Sequence, residues 1–129
     1  MSQEAKKHHA PFPEEDNGEP KAPAQTGSYT MVEPRFREIY FQFYKETYKP
    51  SVLDRKTKEL IAIAASLAAK CQGCLEGHVK KALKFGASRE EVSEAIAIAI
   101  GVNAAAIVDL TDIAADNMNL RLFPGPEKK

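Results

Sequence analysis

The sequence predicts an all-α fold, and three observations carry that expectation. Apolar residues between positions 33 and 118 recur mostly at helical spacing, residues that start and stop helices flank those runs, and Ala, Leu, Lys and Glu fill much of the interiors. The chain has 129 residues, a length that favours one domain and allows a packed core without disulfide staples.

Five helical segments are expected. The first covers about 33–48: Pro34 suits an opening turn, Phe36, Ile39, Tyr40, Phe43 and Tyr44 repeat at helical spacing, and Pro50 ends the run. That aromatic face is expected to pack on the core or on a neighbouring subunit. The second covers about 54–69, with Asp54 as N-cap and Leu60, Ile61, Ala64, Ala65, Leu67 and Ala68 as a broad, small-chained apolar face. The third begins near Cys71–Cys74 and stops at Gly86, a residue suited to the position after a helix; Lys80, Lys81 and Lys84 lie on its later turns, where the helix dipole favours cations. Ser88 and Glu91 form the pattern of a capping box that opens a fourth helix at about 89–101.

A fifth helix is expected at about 103–118. The run Ala95-Ile96-Ala97-Ile98-Ala99-Ile100 alternates like a strand, but alternating Ala fills strands poorly and the capping box stands immediately upstream, so helix is the better assignment. Such a helix is apolar all round. With the aromatic first helix it offers more apolar surface than a small bundle can hide, which points to an obligate homo-oligomer.

Residues 1–28 hold no Val, Ile or Leu and are rich in Pro, Glu, Lys and small residues, so they are expected to be a disordered N-terminal tail. His8-His9 within it is expected to be a solvated pair. The helical domain is then 29–122, and 123–129 form a C-terminal tail from which Phe123 can fold back onto the core.

Eighteen basic and eighteen acidic residues balance to a net charge of +0, which gives no support for binding nucleic acid or membrane surfaces through bulk charge. No secretory signal is visible. Leu60–Ala69 is about half the ~20 residues a membrane-spanning helix needs, and 92–110 is interrupted by Ser93, Glu94, Asn103 and Asp109, so no membrane span is expected. The expected location is the cytoplasm, where a CxxC pair is more often redox-active or metal-binding than structural.

That pair, Cys71-Gln72-Gly73-Cys74, carries the chemistry. On a helix Cys71, Cys74 and His78 fall within ~60° of one another, and both cysteines stand at a helix start, where unpaired N–H groups favour a thiolate. Lys70 adds a positive charge nearby. A thiolate attacks peroxides and disulfides, and a second cysteine closes the product into a disulfide. His78 can relay a proton. If the chain reverses near Lys70, Glu59 comes level with His78 and can orient its ring. Zinc held by Cys71, Cys74, His78 and Glu59 is the rival reading. It is disfavoured because structural zinc sites draw cysteines from knuckles and no second Cys/His pair exists here. No metal or organic cofactor is expected.

Glu59, the Cys71-x-x-Cys74 pair and His78, at this spacing, resemble the signature of the alkyl hydroperoxidase D family within the carboxymuconolactone decarboxylase superfamily. The flanks Lys58-Glu59-Leu60-Ile61, Cys74-Leu75-Glu76-Gly77-His78-Val79-Lys80-Lys81-Ala82 and Phe85-Gly86-Ala87-Ser88-Arg89-Glu90-Glu91-Val92 are similar too, so the likeness covers about 53–118. The resemblance implies an all-α helical bundle in obligate homo-oligomers, trimers or hexamers. It also implies an enzyme that reduces hydroperoxides. By carry-over, Cys74 forms the sulfenic acid, Cys71 donates a proton and closes the disulfide, and Glu59 with His78 relays protons. A thiol or lipoyl-type reductant would restore the thiols.

Two departures are visible. No histidine stands between the cysteines, and the chain is short with a single motif. The alternative functions are a non-catalytic or disulfide-exchange redox partner in a larger assembly and a carboxymuconolactone decarboxylase-like enzyme. The decarboxylase branch lacks a CxxC pair, and no arginine placed to bind a carboxylate stands out near the motif.

Overall fold

The computed structural model describes residues 29–128; the expectations for residues 1–28, the His8-His9 pair included, lie outside the described residues. Four α-helices follow one another: α1 (Pro34–Tyr48), α2 (Arg55–Ala68), α3 (Gln72–Lys84) and α4 (Arg89–Met118). No strand occurs among the described residues.

The local signals act where expected. Asp54 caps α2 through Thr57 N–H at 2.7 Å, and Ser88 caps α4 through Glu91 N–H at 3.0 Å. The Glu91 carboxylate turns across to Lys56 at 3.0 Å and ties the start of α4 to α2. Gly86 takes φ +90, and Ala87 N–H reaches back to Ala82 C=O at 2.9 Å, the left-handed closure that ends α3. The same device ends α2 without a glycine. Lys70 stands at φ 56, and Cys71 N–H bonds Ser66 C=O at 3.0 Å. A left-handed lysine costs about 1 kcal/mol, and it delivers the chain directly into the cysteine pair.

The core lies where α2, α3 and the first half of α4 meet. Ile63 and Ala82 are fully buried, Ala87 and Ala95 nearly so, with Leu60, Leu67, Leu75, Val79, Val92 and Ile96 packed around them. The alanines allow close approach of the helix axes, and Ile63 supplies the bulk between them.

The expected fourth and fifth helices are one continuous helix of 30 residues, about 45 Å long at 1.5 Å per residue. Gly101 does not break it. One interior glycine costs about 1 kcal/mol, whereas ending a helix and nucleating another costs more. Asn103 adds an internal tie by donating to Ala99 C=O at 2.7 Å. Beyond Ala99 the helix has no buried residue, and Ile100, Val102, Ile107, Leu110 and Ile113 are exposed. The expectation that 92–110 is too interrupted to span a bilayer is corrected as well: α4 is long and apolar enough to do so by length and composition.

The aromatic face of α1 does not pack on this chain's core, since Phe36, Ile39 and Phe43 are exposed and only Tyr44 is buried. Phe123 does not fold back either; it is 83% exposed.

Candidate functional site

The cysteine pair stands at the junction of α2 and α3. Cys71 is the N-cap of α3, with extended backbone, and its Sγ accepts from Cys74 N–H at 3.3 Å. The single-stripe arrangement expected on a helix is therefore modified. Cys74 and His78 share the helix, while Cys71 stands just outside it. The two sulfurs are joined as a disulfide, with Cα atoms 5.3 Å apart. Both cysteines are half-buried, so the bond sits at the edge of the core with solvent in reach.

One turn further along α3, about 6 Å of rise from Cys74, His78 is almost completely buried. Its Nδ1 lies 2.6 Å from Glu59 Oε2, and Glu59 is itself 0% exposed. The α2–α3 hairpin, turned at Lys70, thus brings Glu59 level with His78, as the spacing of the two residues implied. The other carboxylate oxygen, Oε1, accepts from Arg55 Nε at 2.9 Å and forms an ion pair with Arg55 Nη2 at 2.8 Å. A buried carboxylate must be paired and hydrogen-bonded. Glu59 meets that need by giving one oxygen to each partner. The Nδ1 edge of His78 therefore faces the Glu59 carboxylate, which accepts from an Nδ1–H, and Nε2 is turned the other way.

Nε2 faces α1. Tyr48 Oη lies 3.4 Å from it, and the Tyr48 ring stacks on the imidazole at 5.2 Å and 23°. Tyr44 packs against Tyr48 at 4.6 Å and accepts from Lys81 Nζ at 2.5 Å. The Arg55 guanidinium lies 4.6 Å from the Phe85 ring centroid and 5.4 Å from that of Tyr48. Burial first, and the Glu59 charge second, push the Tyr48 phenol up to about 12 and Tyr44 higher still. Both therefore remain protonated donors at ordinary pH. Lys58 holds the end of α1 in place by donating to Thr47 C=O at 2.8 Å and Lys49 C=O at 2.5 Å.

Glu59 and His78 meet across the α2–α3 hairpin, and Cys71 and Cys74 lie nearer its turn, at the start of α3. Sequence reasoning missed Arg55, Tyr48 and Tyr44 as members of the site. Arg55 had a local signal, since it stands four residues before Glu59 on one helix face. Tyr48 had none, because it meets His78 across 30 residues of chain. The ligand set imagined for zinc is committed elsewhere: the sulfurs bond each other and Glu59 serves Arg55 and His78. No cluster of three or more His, Cys, Asp or Glu placed to hold a metal occurs among the described residues.

Residues 34–116 match the model of the carboxymuconolactone decarboxylase family. A Paracoccus denitrificans protein named uncharacterized protein 4 in cox locus is 36% identical over 67% of this chain and 78% of its own length. Among solved structures, a Methanobacterium thermoautotrophicum protein superposes with a TM-score of 0.60 at 26% identity, over 65% of this chain and 97% of its own. A carboxymuconolactone decarboxylase family protein from Legionella pneumophila gives 0.51 at 35% identity, over 54% of this chain; the match spans only 62% of that protein. A Thermotoga maritima member, suggested to take part in an antioxidative response, gives 0.51 at 29% identity, over 67% of this chain and 98% of its own.

Proposed function

This chain belongs to the carboxymuconolactone decarboxylase family, and on that premise we propose that it is a thiol-dependent hydroperoxide reductase of the alkyl hydroperoxidase D type. The observation that supports the reading is a Cys71–Cys74 disulfide at the start of α3, one turn from a buried Glu59–His78 pair. The antioxidative role suggested for the Thermotoga maritima relative points the same way.

In the reduced protein the Cys74 thiolate attacks the outer oxygen of a hydroperoxide. The O–O bond breaks, an alcohol leaves with a proton supplied from the Cys71 thiol, and Cys74 becomes a sulfenic acid. The Cys71 thiolate then attacks the Cys74 sulfur. A disulfide forms and the hydroxyl leaves as water after taking a proton from the relay. One hydroperoxide and two thiols thus become one alcohol, one water and one disulfide. The helix N-terminus and the Cys74 N–H favour negative charge on Cys71 and prepare it for that second attack. His78 Nε2 takes and returns the protons while Glu59, fixed by Arg55, steadies the imidazolium. An external dithiol of the lipoyl type restores the thiols and is itself oxidised to a disulfide.

The test is hydroperoxide consumption by the reduced protein, followed by mass spectrometry of the cysteines. Consumption with stoichiometric Cys71–Cys74 disulfide is the expected result. Both thiols intact after exposure would end the proposal and leave disulfide exchange with a protein partner as the reading to pursue.

The proposal includes self-association. Second copies of the chain cover the exposed apolar half of α4 and the aromatic face of α1, because a helix with Ile100, Val102, Ile107, Leu110 and Ile113 in water carries a large unburied apolar area.

A further inference from the structure

We infer that Tyr48 is a positioning residue of the Glu59–His78 relay: its hydroxyl holds the Nε2 lone pair of His78 and its ring fixes the imidazole plane. Three features of the structure converge on this role. Tyr48 Oη is 3.4 Å from Nε2, and its ring lies nearly parallel to the imidazole. The neighbouring ring of Tyr44 and the Arg55 guanidinium pack against Tyr48, and Arg55 also binds Glu59. One guanidinium therefore touches both ends of the relay, the carboxylate behind His78 and the aromatic ring in front of it. Lys58 fixes the last turn of α1 by binding the carbonyls of Thr47 and Lys49 on either side of Tyr48.

The length of the contact matters. An O–H donor at 3.4 Å is well beyond the usual ~2.8 Å optimum, so the bond is weak and yields to a better partner. Tyr48 thus keeps Nε2 aimed, at little cost when a better partner arrives. Glu59 sets the tautomer from one side and Tyr48 from the other. A contact at Nε2 in addition to the one at Nδ1 narrows the orientations open to the buried imidazole.

The test uses the full chain and Tyr48→Phe, which keeps the stacked ring and removes only the hydroxyl. The chain has three histidines, so His78→Gln assigns the His78 signals in a nitrogen-15 spectrum of the imidazoles. In the wild type His78 shows a protonated Nδ1 and a lone-pair Nε2. In Tyr48→Phe the Nε2 resonance moves to the position of a lone-pair nitrogen without a donor, while Nδ1 stays. Hydroperoxide turnover falls about 3- to 10-fold, the size of one neutral hydrogen bond, with KM unchanged. An Nε2 resonance that does not move in Tyr48→Phe, or a turnover equal to wild type, overturns the assignment. The turnover arm rests on the proposed peroxidase function, whereas the spectroscopic arm does not. A wild type that consumes no peroxide defeats the function, and the Nε2 resonance still decides the place of Tyr48.

Discussion

Glu59 and His78, nineteen residues apart on adjacent helices, share a hydrogen bond of 2.6 Å in a region where neither side chain is more than 3% exposed. The bond survives burial because Arg55 neutralises the carboxylate through its other oxygen.

Removing that carboxylate takes the ion-pair partner from a mostly buried guanidinium. Glu59→Leu is expected to lower stability by about 3 kcal/mol or more, the cost of breaking a buried ion pair. Adding Arg55→Met to Glu59→Leu is expected to restore part of the loss, because no buried charge then lacks a partner. Urea unfolding of the oxidised protein measures both variants. A double variant as unstable as the sum of its parts sinks the account.

The two cysteines are expected to fail differently. In Cys74→Ser hydroperoxide turnover disappears. In Cys71→Ser a single turnover leaves a sulfenic acid on Cys74 that a dimedone probe traps. A probe adduct on Cys71 in the Cys74→Ser protein would assign the attack to the other sulfur, the one that the N-cap position favours for charge.

Lys70 holds φ 56 to turn the chain into the cysteine pair. Lys70→Gly removes the strain of a side chain in that region, offset in part by the greater freedom of glycine in the unfolded chain. A net gain of about 0.5 kcal/mol is expected from denaturant midpoints. A loss of similar size would show that the Lys70 side chain contributes more than its backbone costs.

The phenol of Tyr48 is held up to about 12 against an ordinary 10.0, by burial first and the Glu59 charge second. A raised value means the folded state disfavours the phenolate. The stabilisation is fully present below pH 10 and is lost as the pH climbs toward about 12. The folded fraction of wild type is therefore expected to fall faster over that interval than that of Tyr48→Phe. Parallel alkaline unfolding curves would contradict this.

The exposed half of α4 predicts assembly. Ile107→Glu places a charge in a row of exposed apolar residues and is expected to lower the sedimentation mass while leaving helix content unchanged. A monomeric wild type removes the proposal. Because α4 is also long and apolar enough to cross a bilayer, co-sedimentation with lipid vesicles separates a membrane partner from a second copy.

The sequence alone determined what depends on neighbours within a turn or two. The helix starts at Asp54 and Ser88, the stop at Gly86 and the pairing of Cys71 with Cys74 all rest on groups three to five residues apart, whose geometry backbone physics dictates. Glu59 was legible as a partner for His78 because a tight reversal near Lys70 brings residues at similar distances from the turn together. Arg55 was within reach of the same reasoning, but Lys56 and Lys58 beside it made that stretch resemble a solvated face. Tertiary structure alone decided the rest. Whether α4 breaks at Gly101 turns on about 1 kcal/mol, too small for local pattern to resolve. Tyr48 reaches His78 because Lys58 and Lys81 tie α1 to α2 and α3, and a contact across thirty residues exists only once the helices have packed.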